Sequence, residues 1–471
     1  MDNLEQNIRK LVEEVVKSIN QNPVAETEKN LSGVFSNLGN AVTAAEQAFR
    51  ELKNLNLEVR KKIIENLRKV SLENNEMLAK MAHDETGMGR FVDKIFKNEL
   101  GIFKTPGVED IQPEAFSDDC GLTLVEKAPY GVIGSITPST NPVVTIISNA
   151  IGMVAAGNAV VFNPHPSAKK TSAFLVKILN NAVIEAGGPA NLVCCIDEPT
   201  IESAKELMTH KKIALLVVTG GPAVVKVAMN SGKKVIAAGP GNPPCVVDET
   251  ADIAKAGKDI VDGAGFDNNV ICICEKEIIC VATVADKLKE EMKKNGAYEL
   301  NSEQIKKITE LVIADPGGPG KEGAPNKKYV GKSPAFIAKD IGLNLSDDVR
   351  LLLCEVGRDH PLVWTEQLMP VMPLVRVNHV DEAIDLAVEC EHGFRHTAIM
   401  HSLNIAKLSK MAKVMDCSIF IKNGPSYAGL GKGGAGFASF TIASPTGDGV
   451  TRARTFTRER RCTLVDYFRI I

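Results

Sequence analysis

Along the 471-residue chain the apolar positions change their period several times. In the first stretch, MDNLEQNIRKLVEEVVKSIN, the residues Leu4, Ile8, Leu11, Val12, Val15, Val16 and Ile19 recur at helical spacing, with Lys10, Glu13, Glu14 and Lys17 on the opposite side. That pattern predicts a short amphipathic helix over residues 1–20. Residues 21–33 are polar, hold Pro23 and Gly33, and read as a linker. Acidic residues interrupt the apolar positions and no small-residue cleavage site follows, so the stretch is not a secretory signal. A helix held off on a linker favours docking to another protein over packing on its own core.

From Val34 to about Asn98 the pattern is helical and rich in Lys and Glu, as in LEVRKKIIENLRKVSLENNEMLAKMAHDETG. Beyond it the chain alternates. GLTLVEKAPYGVIGSITP, NAVVFNP, LVCCID and IALLVVTG read as strands, separated by the helical PVVTIISNAIGMVAAG, SAKKTSAFLVKILNNAVIEAG and TIESAKELMTH. Such alternation predicts an α/β protein whose parallel sheet is covered on both faces and binds ligands at its carboxyl edge. At that edge VVTGGPAVV ends a strand at Thr219, turns through Gly220 and Gly221 and opens a helix at Pro222. Free amides there suit a pyrophosphate, although a plain turn explains the glycines equally well. The standard Gly-x-Gly-x-x-Gly fingerprint does not occur.

Three cysteines crowd the strand-like stretch FDNNVICICEKEIIC: Cys272, Cys274 and Cys280. Their spacing is too tight for paired zinc ligands and one residue short of a redox pair, which leaves a single reactive thiol with buried bystanders. The residues alone do not say which of the three it is. His392 and His396 have zinc-like spacing, but no cysteine pair stands near them and no metal is expected. The cysteines number 11 and lack module-like spacing, which reads as a reduced, intracellular protein. A net charge of -3 and a pI near 6.3 give no nucleic-acid footprint. No apolar run reaches the roughly 18 residues that would cross a bilayer.

Taken in order, PYGVIGSITPSTNP, AAGNAVVFNPHPSAKK, VVTGGPAVV, AAGPGNPPCVVD, FDNNVICICEKE, CEHGFRHTAIMHS and GPSYAGLGKGGAGFASFTIASPTGDGVTRARTFTRERRC resemble the aldehyde dehydrogenase superfamily. The resemblance is to its coenzyme A-acylating branch, the propionaldehyde dehydrogenases of bacterial microcompartments. It implies that Cys272, three residues after Asn268-Asn269, is the nucleophile, and that the Asn141 amide and the Cys272 backbone N–H are oxyanion donors. It further implies NAD as hydride acceptor, contacted by Thr137, Pro138, Asn163, Thr219, Gly220, Gly221 and Glu366. Asn163 stands where hydrolytic relatives have a ribose-binding lysine. Ala237 falls where those relatives carry the glutamate that activates water, and alanine cannot take a proton. The acyl group is therefore expected to pass to coenzyme A, whose thiol needs less activation. Lys169 and Lys170 read as residues that solvate a helix start.

The fold implied is a Rossmann-type cofactor domain over residues 34–120 and 131–240 with an α/β catalytic domain over 241–455. Residues 121–130 and 456–471 form a small β oligomerisation arm, in dimers or tetramers. Residues 314–328, rich in Gly and Pro, read as a loop. Residues 1–20 resemble the encapsulation peptides of the group, which implies a shell protein or co-encapsulated enzyme as partner and a place inside a cytoplasmic microcompartment. The expected reaction is oxidation of a short aldehyde, propionaldehyde or acetaldehyde, to its acyl-CoA. A hydrolytic enzyme and an inactive shell-associated scaffold are the alternatives.

Overall fold

The computed structural model describes residues 32–471. The expected helix over residues 1–20, and residues 21–31 of the linker, lie outside the described residues.

Two parallel sheets organise the chain. The first has six strands, in the order Val34–Phe35, Val193–Ile196, Ala159–Pro164, Val132–Thr137, Ile213–Thr219 and Val235–Ala238. Every residue of Val132–Thr137 and Ala159–Pro164 is buried, as expected of central strands covered on both faces. The chain winds outward from Val132–Thr137 through Ala159–Pro164 to Val193–Ile196, then returns to the other side of Val132–Thr137 with Ile213–Thr219. The winding therefore reverses between Thr137 and Thr219, and crevices for ligands open at such a switch point.

The second sheet has seven parallel strands, in the order Ala297–Glu299, Leu351–Glu355, Val371–Val377, Glu277–Val281, Pro244–Val247, Thr397–His401 and Ile419–Lys422. Residues 239–243 carry the chain from the carboxyl end of Val235–Ala238 to the amino end of Pro244–Val247. The carboxyl edge of one sheet thus meets the amino edge of the other. Asn242 fastens this crossing, donating from Nδ2 to the carbonyls of Val363 at 3.0 Å and Cys390 at 2.9 Å.

Local pattern and structure part company at three places. Val34–Phe35 is a strand, not the start of the helical run, because it pairs with Cys195 and Ile196, some 160 residues away. Within 314–328, Ile313–Asp315 pairs antiparallel with Ala324–Pro325. In FDNNVICICEKEIIC only Glu277–Val281 is strand, while Asp267, Asn268 and Asn269 take φ of 47°, 53° and 61°. Asp and Asn are the non-glycine residues that best tolerate this left-handed region, and three in a row end any extended run. Cys272 and Cys274 accordingly lie in the turn, and Cys280 in the strand.

A third, antiparallel sheet joins Glu114–Asp118, Gly121–Pro129 and Thr457–Val465. Its first strand lies upstream of the arm read from the sequence. Val465, Tyr467, Phe468, Ile470 and Ile471 are exposed at its end.

The helix Pro142–Ala155 is buried along its whole length, its polar stripe of Thr145, Ser148 and Asn149 included. It packs so closely on Phe91–Lys104 that a Cβ on Gly101 would stand 2.5 Å from Val144 Cγ2. Gly101→Ala should therefore force the two helices apart and cost about 1–3 kcal/mol. The urea midpoint measures this, and an unchanged midpoint would mean that the helices part freely.

Candidate active site

The left-handed turn before Cys272 is held at each residue by a buried side chain. Asp267 accepts the Arg90 backbone N–H at 2.7 Å, the Lys94 ammonium at 3.2 Å and the Lys97 ammonium in a short contact. Burial alone would raise the Asp267 carboxyl, but the charges of Lys94 and Lys97 hold it below the usual range. Asn268 Nδ2 donates to the carbonyls of Gly89 at 3.2 Å and Gly331 at 3.0 Å. Asn269 Nδ2 donates to Ala264 O at 2.8 Å and Glu275 O at 2.9 Å. The Asn pair is thus a clamp on backbone carbonyls, and it sets where the next residues go.

Cys272 follows, partly exposed, while Cys274 and Cys280 are fully buried. Burial pushes all three thiols up to about 12, so acidity does not separate them. Exposure does: only Cys272 of the three is open to an incoming molecule. After burial, the charge that bears most on its thiol is Glu366, which raises it further, and Lys276 acts in the opposite sense. Lys276 is completely buried, and its ammonium donates to Asn269 Oδ1 at 2.6 Å, Ile271 O at 3.2 Å and Asn269 O at 3.3 Å. Among the described residues its acceptors are amide and carbonyl oxygens, and no hydrogen-bonded carboxylate neutralises its charge.

The crossing 239–243 passes beside this turn. A side chain on Gly241 would meet the His396 ring at 2.9 Å and the Cys272 carbonyl at 3.2 Å, so glycine allows three segments to touch. The Gly241 N–H donates to Glu366 Oε1 at 3.3 Å, and burial raises that carboxyl to about 7. His396 is buried, shares a hydrogen bond of 2.8 Å between Nδ1 and Thr397 Oγ1, and leaves Nε2 without a partner among the described residues. Burial, then the Lys276 charge, lowers it to about 3, so the imidazole is neutral.

Asn141 caps the buried helix Pro142–Ala155 without bonding its amides. Its Oδ1 accepts from Lys97 Nζ at 2.8 Å, and its Nδ2 lies 3.2 Å from Thr140 Oγ1. Asn141 and the Cys272 turn therefore share one cation.

The residues expected to contact a nucleotide gather at the carboxyl edge of the six-stranded sheet. Thr137 and Asn163 sit at neighbouring strand ends, Pro138 follows Thr137, and Thr219 ends the strand on the other side of the switch point. Thr137 Oγ1 is buried and has no partner among the described residues, and Thr219 Oγ1 shares a hydrogen bond of 2.9 Å with Thr441 Oγ1. Gly220 and Gly221 lead into Pro222–Met229, whose first amides carry no side-chain cap, and a Cβ on Gly221 would meet open space. An orphan hydroxyl beside uncapped amides fits a dinucleotide phosphate. Asn163 Oδ1 accepts from Ser203 Oγ at 2.7 Å, tying it to the helix Ile201–Thr209. Lys169 pairs with Glu198. Glu366 stands apart from this group, at the crossing. Ala237 is fully buried in the apolar core of the first sheet.

The profile of the aldehyde dehydrogenase family matches residues 10–302. The chain belongs to the aldehyde dehydrogenase family. An acetylating acetaldehyde dehydrogenase of Bilophila wadsworthia is 50% identical over 100% of both chains. A structure of Rhodopseudomonas palustris propionaldehyde dehydrogenase, with bound CoA and an acylated cysteine, superposes with a TM-score of 0.90 at 50% identity, covering 92% of this chain and 98% of that one. A propionaldehyde dehydrogenase from the fucose utilisation microcompartment of Clostridium phytofermentans superposes with 0.90 at 47% identity, over 93% and 100%.

Lys97, Lys276 and His396 join this aldehyde dehydrogenase's site without having been singled out for it from sequence. His396 carries a signal in CEHGFRHTAIMHS, but its spacing from His392 points only to a metal ligand. The lysines carried none, because surface charge is the ordinary meaning of a lysine in a helix or beside acids. Lys276→Met should raise the Cys272 thiol by about one unit, since an unneutralised cation is lost. The thiolate fraction at a fixed pH below the pKa then falls about tenfold, and alkylation by iodoacetamide slows in proportion. An unchanged alkylation rate in a folded variant would remove Lys276 from the control of the thiol.

Proposed function

We propose that this chain is a CoA-acylating aldehyde dehydrogenase that converts a short aldehyde such as propionaldehyde or acetaldehyde into its acyl-CoA through a thioester on Cys272. The observation that carries the reading is the partly exposed Cys272 thiol, fixed on its clamped turn and joined through Lys97 to a buried amide at Asn141. The Bilophila and Rhodopseudomonas relatives, named for acylating chemistry and for an acylated cysteine, support it.

Addition begins with loss of the Cys272 thiol proton to solvent, which the Lys276 charge favours and the Glu366 charge opposes. The sulfur then adds to the aldehyde carbon, and the carbonyl electron pair moves to oxygen. Asn141 Nδ2 and the Cys272 backbone N–H stabilise the oxyanion. Thr137, Pro138, Asn163, Thr219, Gly220 and Gly221 at the sheet edge, with Glu366, would hold NAD, which would supply the hydride acceptor. Transfer of hydride to that acceptor would restore the carbonyl as an acyl thioester. The coenzyme A thiol attacks that carbonyl, the Cys272 thiolate leaves, and the nucleophile is regenerated. Neutral His396, with a free Nε2, offers the entering thiol a hydrogen-bond acceptor. Water finds no general base at position 237, where an alanine methyl is packed in apolar core.

The arm formed by Glu114–Asp118, Gly121–Pro129 and Thr457–Val465, with its exposed apolar end, is read as the contact between copies in a dimer or tetramer. Residues 1–20 are read as a packaging helix for a shell protein or co-encapsulated enzyme, which places the enzyme in a microcompartment lumen.

NADH formation from propionaldehyde should require CoA and yield propionyl-CoA by mass spectrometry. Cys272→Ala should abolish product, whereas Cys274→Ala and Cys280→Ala retain most of it. Full activity of the Cys272 variant, or CoA-independent release of acid, would sink the reading. Deleting residues 1–20 should leave turnover within about a factor of two, because the site lies in distinct domains, while a reporter carrying those residues co-purifies with assembled shells. A reporter that stays diffuse in shell-forming cells would end the packaging role.

A further inference from the structure

Lys94 and Lys97 lie one turn apart on Phe91–Lys104, both buried, and both reach Asp267. One carboxylate already has its partner in Lys94 and a backbone N–H from Arg90, so a second buried ammonium is not needed to neutralise it. Bringing that ammonium out of water is costly, and replacing such ions by apolar groups is often neutral or stabilising. Burial lowers Lys97 to about 8 even with Asp267 opposing the shift. The contact that distinguishes Lys97 from Lys94 is the one to Asn141 Oδ1, at 2.8 Å.

That contact decides which end of the amide faces the substrate. A carboxamide can turn over and exchange its oxygen for its NH2 group, and a flipped Asn141 would present acceptor oxygen to a developing oxyanion. With an ammonium on Oδ1, the flipped form sets donor against donor. The NH2 end is then directed away from Lys97, with one hydrogen for Thr140 Oγ1 at 3.2 Å and one left over. An ammonium on the oxygen also polarises the amide and strengthens its N–H donors. The other end of the same ammonium meets Asp267, which begins the turn leading to Cys272. Phe96, next to Lys97, packs edge-on against Phe266 at 5.6 Å and keeps the helix on that turn.

We propose that Lys97 is a positioning residue for thiol addition, its ammonium fixing the Asn141 amide with its N–H end toward the oxyanion and in register with the Cys272 turn. The proposal rests on the reading of Asn141 as the oxyanion donor, and the two can fail separately.

The test compares kcat/KM for propionaldehyde, at saturating NAD and CoA, in Lys97→Met, Asn141→Ala and the double variant. Asn141→Ala should lose about 10²–10³-fold, the usual effect of removing an oxyanion donor. Lys97→Met should lose about 10–10²-fold, and the double variant should be no worse than Asn141→Ala, because both remove one function. A merely structural lysine would instead multiply its effect with that of Asn141→Ala, and that result overturns the proposal, as does an undiminished kcat/KM in Lys97→Met. If Lys97→Met does not fold, Lys97→Gln replaces it: the neutral donor should give a smaller loss, again absent in the Asn141→Ala background, and multiplication there overturns the proposal equally. Asn141→Asp keeps a partner for the ammonium and removes the donor. Full activity of Asn141→Asp and Asn141→Ala would reject the oxyanion reading itself.

Discussion

The buried carboxylate of Asp267 is the interaction on which the site depends. Three consecutive left-handed residues are a costly way to run a chain, each non-glycine instance costing on the order of 1 kcal/mol or more. The turn persists because the surroundings over-determine it: Arg90, Lys94 and Lys97 hold Asp267, and Asn268 and Asn269 bond four backbone carbonyls between them. Removing Asp267 itself would leave the Arg90 N–H and the buried Lys94 ammonium without that acceptor, a penalty of about 1–3 kcal/mol for each. Backbone strain, buried charge and the position of the Cys272 sulfur are therefore one problem with one solution.

The electrostatics of the seam follow from where charge is left over. Around Asp267 there is one more buried cation than anion, counting Lys94, Lys97 and the carboxylate. Beneath Cys272 there is a further cation, Lys276, bonded only to neutral oxygens. Glu366 opposes these charges, and burial holds it near the middle of its titration at neutral pH. Such a site resists forming a thiolate at rest, since burial dominates the Cys272 thiol, yet it is biased toward negative charge on anything placed between the lysines. That bias suits an oxyanion better than a permanently ionised sulfur.

Much of the architecture was legible because buried parallel strands are written as short apolar runs, and helices between them repeat every three to four residues. Thr219 was legible for the same reason, standing where a run of that kind stops, whereas Thr137 and Asn163 were legible only through the family resemblance. Val34–Phe35 was not, since two residues carry no period and their partner strand is Val193–Ile196. Nor was the turn at Cys272: its apolar residues look like a strand, and the Asp-Asn-Asn that breaks it is set by contacts to Gly89, Arg90, Lys94, Lys97 and Gly331. Lys97 lies 170 positions from Asp267. No window on the sequence reveals that a lysine in an amphipathic helix faces inward to a charge at that distance.

The meeting of the two sheets explains why the chemistry gathers there. A parallel sheet leaves the backbone groups of its strand ends free at both edges, and its helices start and stop beside them. Setting the carboxyl edge of one sheet against the amino edge of another produces a cleft with helix starts, turns and a crossing segment on its walls, none of them committed to a ladder. Gly241 shows how little room remains, with His396 and the Cys272 carbonyl both within reach of the methyl it lacks. Small residues at the end of the strand, Ala237 and Ala238, and in the crossing, Gly239 and Gly241, keep that wall thin. A carboxylate could enter it at 237 only by burial in the apolar core of the first sheet, where the charged form is strongly disfavoured. A water-activating carboxylate at position 237 is thus excluded by the packing of the sheet, and an acceptor that carries its own nucleophile is the partner this wall can serve.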